Sequence, residues 1–149
     1  MQLSARVEYG VRAMMVLALN YEKGLLSIKD IAGEEGISDQ YLEQIFPLLK
    51  KTYLVESQRG AHGGYRLALE PSEISVGDIM RALEGSLAPT KCVVEEEKGS
   101  KGYAGCRHSE ACVTRGVWEK LRDHITLFVD NITLADMVNW GKEGNGDCA

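Results

Sequence analysis

The sequence has no apolar run long enough to cross a membrane. A transmembrane helix needs about 20 such residues, whereas the longest apolar stretch, Ala13 to Leu19, has only seven. The residues after Met1 also lack the ordered basic, apolar and cleavage regions of a secretory signal peptide. We therefore predict a cytoplasmic protein with no membrane segment. Thiols stay reduced in that compartment, so clustered cysteines there favour metal binding or redox chemistry over disulfides.

The patterns of common catalytic sites are missing as well. The chain has no Ser-His-Asp set, no glycine loop suited to cradling a phosphate and no metal-binding His-Glu pair. The C-x2-C pairs of zinc knuckles are also absent. These absences predict a binding protein rather than an enzyme.

An excess of positive charge, the usual sign of a nucleic-acid-binding protein, is lacking too. The net charge is −5, but the acidic surplus lies entirely from Leu69 onward, and the residues before it are balanced in charge. A balanced first half can still present a local basic face to phosphates. Charge alone therefore does not exclude DNA binding.

The 149 residues are enough for one main domain and an extension. Helix caps and periodicity predict a mainly α fold with a small β-hairpin, a winged helix-turn-helix followed by a long C-terminal dimerisation helix. We divide the chain into a DNA-binding domain (1–88), a cysteine-bearing loop (89–112), a dimerisation helix with a short terminal helix (113–141) and a disordered tail (142–149).

The helix-turn-helix is predicted from three capped helices. Ser4 caps a first helix that runs to Leu19, and Ser27 with Asp30 approximates a capping box for a second. A glycine turn then leads to Ser38, which caps a third helix. A short helix, a turn and a capped second helix are typical of the motif that places its second helix in the major groove.

A hairpin with a glycine-rich tip follows, which is the expected wing. Leu54–Gln58 and Tyr65–Leu69 have the composition of paired strands, and Ser75 begins a fourth helix that ends at Gly85. Polar residues near the start of the third helix can contact bases or phosphates, and Arg59 suits a narrow minor groove. The predicted DNA-binding residues are Ser38, Gln40, Tyr41, Glu43, Gln44, Arg59, Gly60, His62, Gly63 and Gly64.

The segment from Val113 to Ile132 has apolar residues at alternating spacings of three and four. These residues are Trp118, Leu121, Ile125, Phe128 and Ile132. The spacing is that of a coiled-coil seam, although an internal core helix would show it too. We favour a seam between two copies of the chain, because a two-fold dimer matches a palindromic operator in double-stranded DNA.

Three cysteines, Cys92, Cys106 and Cys112, lie in the predicted loop with C-x13-C-x5-C spacing. Thiolates on a loop can hold an iron–sulfur cluster with a weak fourth ligand, but zinc and thiol oxidation fit the same spacing. His108 is one possible fourth ligand. Cys148, on the predicted tail, is expected to be a free thiol, and Glu8 with Arg12 has the spacing of an ordinary surface ion pair.

Several motifs resemble the IscR/NsrR (Rrf-two) family of bacterial winged-helix regulators. They are Gly36-Ile-Ser-x-x-Tyr-Leu-Glu-Gln44, Arg59-Gly-x-x-Gly-Gly-Tyr65, Ile74-x-x-Gly-Asp-Ile79 and the stretch from Trp118 to Leu134. The resemblance implies a homodimer that crosses through its C-terminal helices, with Glu43 and Gln44 at bases and Arg59 in the minor groove. It further implies that the three cysteines hold a [2Fe–2S] or [4Fe–4S] cluster that senses redox state, nitric oxide or iron–sulfur status.

The chain departs from the cluster-assembly regulators of that family at the fourth ligand. Their histidine three residues after the last cysteine is replaced here by Arg115, and the first cysteine gap is longer. In the nitric-oxide- and redox-sensing relatives a first-helix carboxylate of the other subunit completes the site, and Glu8 stands at the matching place. The resemblance therefore implies Glu8 as fourth ligand, with His108 second.

The wing and the Leu83-Glu-Gly85 stretch also resemble the cysteine-metabolism repressors of the same family. Those repressors bind no cluster and respond through a partner enzyme. A cluster-free regulator controlled by a protein partner, or by zinc or thiol oxidation at the same cysteines, is therefore the alternative. A small electron-transfer protein is the weakest alternative, since it would have no use for a wing.

Overall fold

The computed structural model of the protein describes residues 1–94 and 111–144. The helices are α1 (Ala5–Leu19), α2 (Ile28–Glu35), α3 (Asp39–Lys51), α4 (Val76–Glu84), α5 (Val113–Asp130) and α6 (Leu134–Lys142), and the strands are β1 (Val55–Gln58) and β2 (Gly64–Leu67). Short 3-10 turns occupy Pro71–Glu73 and Lys91–Val93. Cys106, His108 and Cys148 lie outside the described residues.

Hydroxyl caps determine where most of the helices begin. Ser4 and Ser38 accept backbone N–H groups at the starts of α1 and α3, and Ser27, Ser75 and Thr133 form full capping boxes with an acidic residue three positions later. The starts predicted for α1, α2, α3 and α4 are confirmed. The strands and the last two helices end within two residues of the predicted bounds.

One hydrophobic core joins α1 to the helix-turn-helix, the hairpin, α4 and α6. Its fully buried residues include Met14 of α1, Leu42 and Phe46 of α3, Ile79 of α4 and Leu134 of α6. Helix α6 contacts α1, so it packs on the DNA-binding domain rather than extending from it with α5. The division expected at residue 113 separates α6 from the DNA-binding domain. In the structure, the apolar face of α6 instead packs against the main core.

Helix α5 is fixed to α4 at its C-terminal end. The Val76 amide donates to the Ile132 carbonyl at 2.8 Å, and the Leu134 amide donates to the Ile74 carbonyl at 2.9 Å. The two bonds form an antiparallel bridge between Ser75 and Thr133. Because the chain is extended at this bridge, α5 ends at Asp130 rather than at Ile132. A second small cluster of Val7, Met80 and Val129 packs beside this junction.

Arg81 links the same two helices through charge. Its guanidinium lies 2.7 Å from Asp130 on α5 and 3.2 Å from Asp78 on α4. The bond to Asp130 raises the pKa of Arg81, since it favours the charged form. Burial raises the pKa of Asp78, but the hydrogen bonds from Ser75 and Arg81 outweigh it, so that pKa lies below its usual value. Both groups are therefore charged at neutral pH.

No helix within the described ranges is long and apolar enough to span a bilayer.

Candidate DNA-binding face and thiol site

The turn between α2 and α3 has the geometry of a helix-turn-helix. Gly36 ends α2 in the left-handed conformation with φ of 64°, which a glycine adopts without strain. Ile37 then enters the core and Ser38 caps α3. The Arg12 Nε atom lies 2.8 Å from the Glu35 carboxylate, and Arg12 also donates to the Glu35 carbonyl. Helix α1 therefore holds the turn by two bonds.

Helix α3 divides its residues between the core and a polar face. Leu42, Ile45, Phe46 and Leu49 are buried, while Gln40, Glu43 and Gln44 are exposed near its start. Tyr41 is half-buried, and its ring meets Tyr9 of α1 edge-on with 5.2 Å between centroids. Exposed amide and carboxylate side chains at the first turns of such a helix can form hydrogen bonds with base edges.

The hairpin lies beside this helix and exposes a polar tip. Strands β1 and β2 pair antiparallel, with Gln58 opposite Gly64. Arg59, Gly60 and His62 are exposed at the tip. The Lys50 Nζ atom lies 2.6 Å from Ser57 Oγ, which connects the end of α3 to the hairpin. This bond helps to fix the position of the hairpin relative to α3.

A third strand segment supports the hairpin, and sequence analysis did not predict it. Leu26 forms an antiparallel bridge with Tyr65, in which the Tyr65 amide donates to the Leu26 carbonyl at 2.7 Å and the reverse bond measures 3.0 Å. A Cβ at Gly64 would lie 2.6 Å from the Leu26 carbonyl carbon. One at Gly63 would lie 2.9 Å from the Arg59 carbonyl carbon. A side chain at either position would therefore clash with the protein's own backbone, which explains why both residues are glycine.

Helix α5 exposes an apolar face that residues 1–94 and 111–144 leave uncovered. Phe128 and Leu127 are 68% and 67% exposed, and Val117, one turn before Leu121, is exposed as well. A shallow cavity on this face is lined by His124, Ile125, Leu127, Phe128, Asn131 and Ile132. Of the predicted seam residues, Trp118, Leu121, Ile125 and Ile132 are half-buried and Phe128 is exposed. Val117 and Leu127 extend the face beyond that prediction.

Both described cysteines lie at fixed points of the backbone. Cys92 is the middle residue of the 3-10 turn Lys91–Val93, and the side chain of Val93 is only 2% exposed. Cys112 occupies the N-cap position of α5. Each sulfur is a free thiol and lies 3.1 Å from a threonine hydroxyl, Thr90 for Cys92 and Thr114 for Cys112.

The environment of Cys112 favours the thiolate. The Thr114 hydroxyl lowers the pKa of Cys112 most, and the amides at the start of α5 and the Arg115 charge act in the same direction. Thiolates are the ligands that iron–sulfur clusters require. The two described thiols therefore fit such a centre in chemical type. Across 1–94 and 111–144, however, no three His, Cys, Asp or Glu side chains are grouped closely enough to hold a metal ion.

Arg122 attaches the turn that contains Cys92 to α5. Its guanidinium lies on α5 and donates to the Val93 carbonyl at 3.0 Å, one residue after Cys92. Arg122 also pairs with Asp123 at 2.8 Å. The turn with Cys92 and the cap with Cys112 are thus attached to the same helix. Arg122 could not be identified from the sequence, because nothing in the spacing of a surface arginine shows which carbonyl it will reach.

Glu8, the expected fourth ligand, has an exposed carboxylate on α1. Its side chain is 63% exposed, and it lies 4.0 Å from Arg12. The ion pair with Arg12 expected from the i,i+4 spacing is therefore the weaker one, since Arg12 is 2.8 Å from Glu35. Glu8 is available to a group outside its own chain.

A sequence profile of the Rrf2 family, described as an iron-dependent transcriptional regulator, matches residues 3–140. The chain belongs to the Rrf2 family. The transcriptional regulator IscR of Escherichia coli is 40% identical over 139 residues, which are 93% of this chain and 81% of that protein. The predicted family membership is confirmed.

Two solved structures of Rrf2 regulators have the same fold. IscR from T. potens has a TM-score of 0.75 and 38% identity, with coverage of all of this chain and 94% of that one. CymR, the global cysteine regulator of B. subtilis, has a TM-score of 0.73 and 34% identity, with coverage of 94% and 98%. The predicted winged-helix fold is thereby confirmed, and this Rrf2 chain is a DNA-binding transcriptional regulator, not an enzyme.

Proposed function

We propose that this regulator holds an iron–sulfur cluster through Cys92, Cys106 and Cys112, and that the state of the cluster controls operator affinity. The observation that carries the proposal is the attachment of two thiols to one helix: Cys112 caps α5, and Arg122 of α5 holds the residue after Cys92. Cys106 lies outside the described residues. When bound, the cluster would supply iron and sulfide that react with oxidants or nitric oxide.

Glu8 of a second subunit is proposed as the fourth ligand, with His108 as the other candidate. Its carboxylate is exposed, and the neighbouring arginine is held by Glu35 instead. A carboxylate is a weak ligand for iron and exchanges readily, which suits a site that must change. IscR homology agrees with a cluster, either [2Fe–2S] or [4Fe–4S].

The functional unit is proposed to be a cytoplasmic homodimer on a palindromic operator. The exposed apolar face of α5 around Phe128 supports this, because a face of that kind is normally covered by a partner. A two-fold dimer would present two copies of α3 and two wings to the two half-sites. A change at the cysteines would then alter the relative placement of the two heads through α5.

Base and groove contacts are proposed for the exposed polar residues of α3 and the wing. Glu43 and Gln44 would contact base edges, and Arg59 would enter the minor groove. The sugar-phosphate backbone of the DNA would be contacted by Ser38, Gln40, Tyr41 and the tip residues. Arg59→Ala should weaken operator binding about tenfold and reduce the salt dependence of binding by about one phosphate contact. Fluorescence anisotropy at several salt concentrations measures both quantities.

Lys142→Ala is the matched control for Arg59→Ala, since it removes one positive charge at the exposed end of α6. It should leave the affinity within about twofold of the parent value, because Lys142 lies on neither α3 nor the hairpin. Equal losses in the two variants would indicate a general charge effect and would remove Arg59 from the interface.

The cluster proposal is tested on protein purified without oxygen. We expect iron and acid-labile sulfide with visible charge-transfer absorption, lost in Cys92→Ser and Cys112→Ser and retained in the control Cys148→Ser. Operator affinity of the loaded and stripped forms should differ by at least about tenfold. Zinc without sulfide would favour a zinc site, and equal affinities of the two forms would refute control by the cluster.

A second candidate function is a cluster-free regulator of cysteine metabolism. The similarity to CymR, with 34% identity across nearly the whole of both chains, favours it. In that case the three cysteines could be replaced together without effect on operator binding, and a protein partner would set the affinity. The triple Cys→Ser variant therefore separates the two functions.

A further inference from the structure

Each described cysteine sulfur lies within hydrogen-bond distance of a threonine hydroxyl. Thr90 Oγ1 lies 3.1 Å from Cys92 Sγ, and Thr114 Oγ1 lies 3.1 Å from Cys112 Sγ. The two threonines stand two residues from their cysteines in opposite chain directions, one before a 3-10 turn and one in the first turn of α5. Two separate elements thus produce the same contact.

Capping does not explain the Thr90 hydroxyl. Thr90 occupies the N-cap position of its turn, yet its side chain makes no hydrogen bond to a backbone amide there. By contrast, Ser4, Ser38 and Thr133 use their hydroxyls at N-cap positions to accept backbone amides. Thr114 lies inside α5, beyond the cap position that Cys112 holds. Both hydroxyls are therefore directed to sulfur rather than to the helix starts.

We infer that Thr90 and Thr114 are positioning residues that donate hydrogen bonds to the cluster-ligating sulfurs and set the reduction potential of the cluster, an inference that rests on the proposed function. A threonine hydroxyl can rotate its hydrogen toward an acceptor, and a thiolate sulfur has no hydrogen of its own to donate. The bond therefore runs from oxygen to sulfur once the thiol is deprotonated by metal binding.

The direction of the effect follows from charge. Reduction adds one electron to the cluster and increases the negative charge on the sulfurs, so a donor hydrogen bond stabilises the reduced form more than the oxidised form. Removing the hydroxyl should therefore lower the potential. No proton is taken up in this step, and the electron comes from the reductant added in the titration and is carried by the mediator.

The experiment is an anaerobic redox titration of cluster-loaded protein. Thr90→Val and Thr114→Val keep the side-chain shape but remove the donor, and Thr90→Ser and Thr114→Ser keep the donor. Each valine variant should shift the reduction equilibrium about threefold toward the oxidised cluster, roughly 30 mV for one electron, and the double variant about tenfold, roughly 59 mV. The serine variants should keep the reduction potential of the parent protein. The Fe–S(Cys) stretching bands in resonance Raman spectra should move only in the valine variants.

Thr126→Val is the control, since Thr126 lies on α5 three turns beyond Thr114. It should change neither the potential nor the Raman bands. Valine variants that hold the parent amount of iron and sulfide at the parent potential would overturn the inference and leave the proposed function standing. Parent protein without iron and sulfide would overturn the proposed function instead.

Loss of the cluster in a variant is also decisive. A valine variant that takes up no cluster while its serine counterpart does would support the hydroxyl, because only the donor differs in kind between them. If both variants at one position fail while circular dichroism shows a folded protein, the donor hydroxyl alone does not account for the threonine there, and the inference is refuted at that position.

Discussion

Replacing Phe128 by aspartate should dissociate the proposed dimer and lower operator affinity at least about a hundredfold. The Phe128 ring is 68% exposed in the single chain and lies on the cavity-lining face of α5. A carboxylate transferred into an apolar interface costs several kcal/mol, and a two-fold interface would contain two of them. Since 1.4 kcal/mol is a factor of ten in an equilibrium constant, separate monomers should dominate at micromolar concentration.

Sedimentation equilibrium and operator binding measure the two effects of Phe128→Asp. Phe128→Leu keeps the face apolar and should remain dimeric, and Lys142→Gln changes the net charge by the same amount at an exposed site of α6. The unfolding midpoint of the isolated chain should be nearly unchanged, because Phe128 is outside both buried clusters. If the Phe128→Asp variant remained dimeric, the dimer interface would have to lie on another surface.

Elements defined by neighbouring residues were predictable from the sequence. The box of Ser75 and Asp78 needs only a hydroxyl, an acid three residues later and an apolar run, and the structure forms both of its hydrogen bonds. The exposed start of α3 and the wing tip follow from the same kind of local pattern. For these elements, propensity and tertiary packing favour the same structure.

Contacts between distant residues were not predictable. The expected partner of Arg12 was Glu8, four residues away, but Glu35 lies closer because the end of α2 packs beside α1. Heptad spacing identified an apolar stripe on α5 but not which edge of it faces the protein's own core. Val129 packs beside Met80, whereas Phe128, the adjacent residue, is exposed. That choice depends on the bridge that fixes the end of α5.

Helix α5 connects the thiol site to the DNA-binding domain by a continuous set of contacts. Cys112 is its N-cap residue, Arg122 attaches it to the Cys92 turn, and Asp130 bonds it to Arg81 of α4. Helix α4 in turn contacts α1 and α3. A change in the proposed ligation at either cysteine would therefore act on a helix that is bonded to the domain with the recognition helix, which gives the proposed control a physical route.

Gly64→Ala should be the most damaging single change in the wing. The φ of Gly64 is +155°, a conformation that a side chain rarely adopts, and an added Cβ would lie 2.6 Å from the Leu26 carbonyl carbon and 3.0 Å from the Ser27 amide nitrogen. Both neighbours are backbone atoms, so neither can move without breaking the bridge between Leu26 and Tyr65. Strain and overpacking each cost about 1–3 kcal/mol.

Together these terms should destabilise the protein by about 3 kcal/mol and lower Tm by roughly 6–12 °C, and displacement of Arg59 should reduce operator affinity about tenfold. Scanning calorimetry and anisotropy measure the two effects. Gly60→Ala, at φ of +118° with no atom near the added Cβ, isolates the strain, and Gly33→Ala in α2 introduces neither strain nor a clash. The latter should gain up to about 1 kcal/mol of stability. An unchanged Tm for Gly64→Ala would show that the wing is not held against Leu26.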